Sequence, residues 1–296
     1  MYDGIPEEWL EQINVKMSDA GVPYMQHPML AIQAWSSERD VAIRFPSSTS
    51  ERVFQWFYRN SPPEAHHIGA LFTGLFYFDV YFWPVTIPLA YGRVRLDPFI
   101  SIKDMPESVK ARLRKETVTH VDYLALWADC VDYGYGRDDF RGNGALTGFA
   151  ANLFTAANGQ LEATIAVLRE ARVNSKAMDS GRMATEMFLK AFLAAHGGLT
   201  EAGAKKLGHN LQLALRECLA ARPTSELSQL QPRLAQFPDV GARYAGATYS
   251  HADLWSAYGT AQFVGSALAR SLSDRNMRRY VEEVLAEHAR KSQRPT

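Results

Sequence analysis

Between residues 250 and 272 the chain places Leu254, Tyr258, Ala261, Gly265, Leu268 and Leu272 at steps of 4, 3, 4, 3 and 4. An α-helix turns once every 3.6 residues, so these six side chains line one face. Such a face has to be buried against other elements. Small residues on or beside it, Ala257, Ala261 and Gly265, let a neighbouring helix axis come close. Layers of helix on helix are the architecture that satisfies this constraint.

The flanking segments continue the theme. Residues 145–172 suit one or two helices, and Asp179 or Ser180 caps a helix running to about His196, ended by Gly197-Gly198. Helices are also expected from His209 to Ala221 and over 224–236, with a last one opening at Ser273 or Asp274. The stretch GYGRDDFRGNG, residues 134–144, has four glycines, several charges and a single large apolar side chain, Phe140. It reads as a loop and sets the expected domain boundary. The expected fold is mainly α. A mostly helical N-terminal domain occupies residues 1–140, with a possible short hairpin in VTIPLAYGRVRLDPFISI. A C-terminal antiparallel helical bundle occupies 145–296.

Within the N-terminal part, residues 6–20 suit a helix opened by Pro6 with Glu7 and Glu8 in its first turn. Residues 50–60 suit another, with Ser50 as its cap, and 106–133 two more. Residues 68–91 carry one charge, Asp79, and are long enough to span a bilayer. Pro84, Pro88 and the lack of flanking Lys/Arg clusters argue instead for a buried helix ending near Trp83, followed by an extended piece. No membrane span is expected. The acidic N-terminus has no apolar signal-peptide core, which gives a cytoplasmic expectation.

Lys+Arg and Asp+Glu are 32 each, so the net charge is zero. That excludes a protein that holds long nucleic acid through bulk positive charge, though not a local basic patch. Cys130 and Cys218 form no CxxC pair or zinc pattern and are expected as buried free thiols. His66-His67 lacks a third ligand at any metal-site spacing, so no metal and no cofactor is expected. GxxxxGK[ST], GxGxxG and GxSxG are absent, as is the Gly-Ser and paired-Asp signature of a nucleotidyltransferase.

Three segments stand in a distinctive order: SGRMATEMFLKAFLAAHGG (180–198), KLGHNLQLAL (206–215) and RYAGATYSHADLWSAYGTAQFV (243–264). A helix ending in LKAFL and then Gly, a GHNL that opens a helix, and an RY before a long Ala-rich helix together resemble the HEPN family. The resemblance covers about residues 150–272, two fifths of the chain. It implies an antiparallel bundle that homodimerises through its helices. Members with an Arg, four to six residues, then a His are metal-independent ribonucleases of toxin and defence systems. Others bind RNA or nucleotides, or partner an antitoxin or a nucleotidyltransferase.

Arg59–His66 and Arg114–His120 have the ribonuclease spacing, but about two such pairs are expected by chance from this composition, and both lie outside the resembling part. The nearest pair in the right place is Arg243–His251, with seven residues between. An Arg fork could stabilise a phosphorane-like transition state and a His could move the 2′-hydroxyl proton. The competing reading gives Arg243 a cap or an acidic partner and seats His251 at a helix N-terminus. Lacking the usual spacing, the chain is expected to be a binding and dimerisation module for RNA or nucleotide. The alternatives are a divergent ribonuclease using Arg243 and His251, and a purely structural interaction protein.

For ligand contacts the candidates are Arg182, Glu186, Lys190, His209, Asn210 and Tyr244. Arg182, Glu186 and Lys190 recur every four residues on one helix face, either as the wall of a phosphate cleft or as a solvated face of favourable pairs; the solvated face is the expectation. His209-Asn210 opens a helix, where free N–H groups favour anions or need a cap. Asp129 and Asp132, three apart, could pair as ligands or acids, but are expected at a helix end beside a solvated loop.

Overall fold

A computed structural model describes residues 5–41, 47–61, 70–89, 97–170, 173–238, 241 and 247–292, apart from the side chains of 141–143, 289 and 292. Among these residues the protein is mainly helical, with one two-stranded sheet. It forms two compact units, residues 1–70 and 71–296.

The first unit holds α1 (Glu7–Asp19), α2 (His27–Arg39) and α3 (Ser48–Asn60). Pro6 precedes α1, and Glu7 and Glu8 occupy its first turn. The cap of α3 is Ser47 rather than Ser50. Ser50 is the returning member of a capping box, its hydroxyl accepting from the Ser47 backbone. Leu10, Ile32, Trp35, Val53, Trp56 and Phe57 form this unit's core.

The second unit begins with β1 (Phe72–Phe78) and β2 (Tyr81–Ile87), paired antiparallel from Phe72↔Ile87 to Phe78↔Tyr81. This hairpin replaces the helix expected over residues 68–83. Asp79 and Val80 both have positive φ, 56° and 55°. That is the backbone of a two-residue type I′ turn, whose twist matches the strands. Most of β1 is buried on both faces, so its sequence does not alternate. Of the segment expected to contain a hairpin, Val85–Ile87 belongs to β2, and residues 90–96 lie outside the described residues.

After α4 (Pro98–Ser101) and α5 (Glu107–Lys115) comes α6 (Thr117–Asn143). It runs straight through the expected loop at 134–144 and stops at Gly144, in the left-handed conformation. The glycines there serve close contact. A Cβ on Gly134 would sit 3.1 Å from Phe72 Cβ, and one on Gly136 2.9 Å from Ala269 Cβ. The division of the chain therefore falls after Ala70, not near residue 140.

The remaining helices are α7 (Gly148–Arg169), α8 (Lys176–Gly197), α9 (Glu201–Leu207), α10 (Leu211–Ala221), α11 (Ser225–Ser228), α12 (Gln231–Leu234), α13 (His251–Leu272) and α14 (Met277–Ser292). The α7–α8 link, residues 170–175, is too short to return along a helix of ~33 Å, so the two are antiparallel. The striped helix α13 packs against α6 and α8, α10 against α8, and α14 against α6. On the stripe, Leu254, Tyr258, Ala261, Gly265 and Leu268 are buried. Cys130 and Cys218 are buried free thiols. No helix among the described residues is long and apolar enough to cross a membrane.

The sheet is seated on the bundle through Gly74. The Tyr258 hydroxyl accepts from the Leu75 backbone N–H at 2.8 Å. A Cβ on Gly74 would lie 2.5 Å from Cys130 Sγ and 2.8 Å from Tyr258 Oη. Neither atom is the free end of a flexible chain, since both are fully buried. Gly74→Ala is expected to lower stability by about 1–3 kcal/mol, as overpacked cores do, measured by urea unfolding. An unchanged midpoint would mean that the hairpin yields without cost.

Candidate ligand site at Glu186 and His209

Helix α8 buries the face that its charge pattern suggested would be solvated. Arg182, Glu186 and Lys190 are all buried. They stack one turn apart because the helix repeats every 3.6 residues, and the face they share lies under the α9–α10 turn. Lys190 Nζ donates to Glu186 Oε1 at 2.8 Å, and Arg182 Nη1 lies 3.5 Å from Oε2. His209 Nδ1 stands 3.0 and 3.1 Å from the two carboxylate oxygens. An ionised carboxylate only accepts, so Nδ1 carries the proton and Nε2 is the ring's outward nitrogen. Arg182 also donates to the carbonyls of His209 at 2.8 Å and Pro238 at 3.2 Å. One guanidinium thus fastens α8 to the turn before α10 and to the chain after α12.

His209 is where this buried cluster reaches solvent: its side chain is 68% exposed, against 9% for Glu186. Gly208 aims it, with φ 62° and ψ −140°, a conformation open to glycine alone. Asn210 caps α10, its side chain accepting from the Leu213 N–H at 2.9 Å.

Two clefts meet at His209. One, of about 350 Å³, is lined by Arg182 of α8, by Asn210 and Gln212 at the start of α10, and by Phe237. The other, of about 480 Å³, has a floor of Phe149, Leu153, Met187 and Ala204 and a rim with Lys205 and Glu201. The first offers hydrogen-bond donors beside a helix N-terminus, and the second offers apolar surface. Arg182, His209 and Asn210 of the first lining were candidates from the sequence, but the second was not legible, because Phe149 and Leu153 belong to α7, Met187 to α8, and Glu201, Ala204 and Lys205 to α9, and only the fold brings them to one cleft.

The other candidates lie elsewhere or fall outside the described residues. Arg243 and Tyr244 fall outside the described residues, as does His66. His251 opens α13 behind the Ser250 cap and stacks on Tyr77 of the hairpin, with ring centroids 5.9 Å apart. Arg114 lies over the Phe99 ring at 4.1 Å, and the His120 ring is 5.5 Å from the same ring. Burial, with Arg114 nearby, holds His120 below the usual imidazole range.

Asp129 and Asp132 are not at a helix end. They lie within α6, fully buried, because α6 continues for more than two turns beyond them. Arg270 Nη1 donates to Asp129 at 2.8 Å and Asp132 at 3.1 Å, and Arg270 Nε donates to Glu226 at 3.0 and 3.1 Å. Arg278 Nη1 donates to Asp129 at 2.5 Å. Asp132 also accepts the backbone N–H groups of Met277 and Arg278, capping α14 from another helix. Burial raises both carboxyls, against the pull of the arginines. This network ties α6, α11, α13 and α14 together. Sequence reading missed its arginines because their partners are more than forty residues away.

Among the described residues no three His, Cys, Asp or Glu side chains are grouped as a metal site. No protein-family model, curated protein or solved structure matches the chain.

Proposed function

We propose that this chain is a HEPN-like binding and dimerisation module whose ligand is a nucleotide unit, free or within RNA, held at His209. The carrying observation is that one exposed imidazole, seated on the buried Glu186, stands in a donor-lined cleft and an apolar cleft at once. A nucleotide has two such ends. Its phosphate would accept from the α10 N-terminus and its base would lie over Phe149 and Leu153. The resembling segments support the reading by their placement. The first falls on α8, the second on the α9–α10 junction, and the described residues 247–264 of the third run into α13, and both α10 and α13 pack on α8.

The test is calorimetry of the full chain with AMP and with a short single-stranded RNA, in the wild type and in His209→Ala. The exposed side chain can be removed without opening the core. Binding that weakens about tenfold in the variant supports the site, since one charge-assisted hydrogen bond is of that size. Equal affinity in both proteins overturns it. RNA is also incubated with the protein and EDTA. Cleavage that disappears in His251→Ala would replace this reading with the ribonuclease one. Sedimentation is expected to give a dimer at micromolar concentration, and a monomer would remove the dimerisation part.

A further inference from the structure

A third cavity, of about 300 Å³, opens between α6, α12, α13 and α14 and shares no residue with the His209 clefts. Three guanidinium groups gather at one buried ring beside it. Arg233, Arg278 and Arg270 lie 4.9, 5.0 and 5.9 Å from the centroid of Phe263. Arg270 and Arg278 are neutralised by Asp129, Asp132, Glu226 and Glu282. Arg233 differs. Among the described residues no hydrogen bond or ion pair engages its guanidinium, although it lines the cavity and is more than half withdrawn from water.

An arginine offers five N–H donors and no acceptor, and it stays charged in any protein environment. Stacking on Phe263 compensates part of its lost hydration but satisfies none of those donors. Burial, joined by repulsion from Arg278, holds Arg233 below its ordinary basicity, against the attraction of Asp129 and Asp122. Each oxygen of Asp129 already accepts from another arginine, one from Arg270 and one from Arg278. Gln236 accepts the Ser256 hydroxyl through its carbonyl oxygen, which leaves its NH₂ group as a further donor at the cavity wall. A second carboxylate, Asp122, stands on the exposed rim.

A cavity with planar, charged donors inside and a carboxylate at its mouth is complementary to an oxyanion that also carries a hydroxyl or amino group. We propose that this cavity binds a small phosphate- or carboxylate-bearing molecule, its oxyanion held by Arg233 with Arg278 and Gln236 beside it, and its hydroxyl or amino group facing Asp122. Trp255 lines the same cavity and reports on occupancy.

The experiment uses the full chain, with inorganic phosphate and L-malate as probes, read by calorimetry and by tryptophan fluorescence. Saturable binding of at least one probe is expected, and whichever binds tighter tells phosphate from carboxylate. Arg233→Gln removes no hydrogen bond found among the described residues, so it is expected to fold. It should weaken binding at least about tenfold, as loss of a charge-assisted fork does. A second variant fills the space instead. A Cβ on Gly259, in the wall of α13, meets nothing within 4 Å, and leucine is a better helix former than glycine. Gly259→Leu should keep the circular dichroism spectrum and abolish binding, and Trp255→Phe should abolish the fluorescence change. Phosphate bound in the cleft at His209 would be lost in His209→Ala and kept in Arg233→Gln, whereas phosphate bound in the third cavity is lost in Arg233→Gln, so the two variants tell the sites apart. No saturable binding of either probe, or equal affinity in Arg233→Gln, overturns the proposal. So does loss of phosphate binding in His209→Ala in place of Arg233→Gln.

Discussion

Replacing Arg270 with methionine is expected to cost about 3–5 kcal/mol of stability. Methionine keeps most of the volume and adds no polar group. What it removes is the charge that lets Asp129 and Asp132 lie fully buried on adjacent turns of α6. Two carboxylates would then share a dry interior, with Arg278 reaching only Asp129 and backbone N–H groups only Asp132. The pH dependence carries the signature. Burial raises both carboxyls above their ordinary value of 3.8, and the arginines oppose it. A group whose folded pKa is raised gives stability that is complete below its unfolded pKa and is lost as pH rises through the folded one. Without Arg270 the folded values climb further. The deficit should be smallest near pH 4 and grow as pH rises toward neutrality, since both acids can fold in protonated form in acid. Urea unfolding at a series of pH values checks this. A deficit that does not vary with pH would mean that the loss comes from packing alone. Adding Asp129→Asn to Arg270→Met should restore at least about 1 kcal/mol, because the two sites share one network.

That network shows where sequence reading reaches its limit. The period of Leu254 to Leu272 gave α13, and the caps at Gly198 and Asn210 were visible because a helix end has local chemistry. Hairpin β1–β2 was not visible. Its apolar run is buried on both faces, and its turn is Asp79-Val80 rather than a glycine pair, so neither alternation nor a turn signal marked it. The richness of Phe72–Ile87 in aromatic and β-branched side chains was the cue that could have marked it. Gly134 and Gly136 misled for the opposite reason. In a loop glycine frees the backbone, while in α6 it lets Phe72 and Ala269 approach, and composition does not tell the two apart. The site was half legible. Spacing placed Arg182, Glu186 and Lys190 on one face, but whether that face is wet or buried depends on His209 and Pro238, which arrive 23 and 52 residues after Glu186.

Glu186→Leu is the companion experiment for that site, with an expected loss of about 3–5 kcal/mol. Glu186 is the acceptor that Lys190 and His209 share, and Arg182 stands beside it. Leucine fits the buried position but leaves the Lys190 ammonium withdrawn from water without its counter-charge. Lys190→Met alone should also destabilise, and the double variant Glu186→Leu/Lys190→Met should recover about 1–3 kcal/mol relative to the sum of the singles. Binding then separates structure from function. At a temperature where each variant is folded, Lys190→Met keeps His209 seated on Glu186 and should retain AMP affinity within a few-fold. Glu186→Leu releases the imidazole, so Nε2 no longer has a fixed direction at the junction of the two clefts, and affinity should fall about tenfold. A Glu186→Leu protein that unfolds like the wild type would show that the cluster is not a buried ion network. One that is destabilised yet binds AMP as before would assign Glu186 to the fold alone and move the ligand site away from His209.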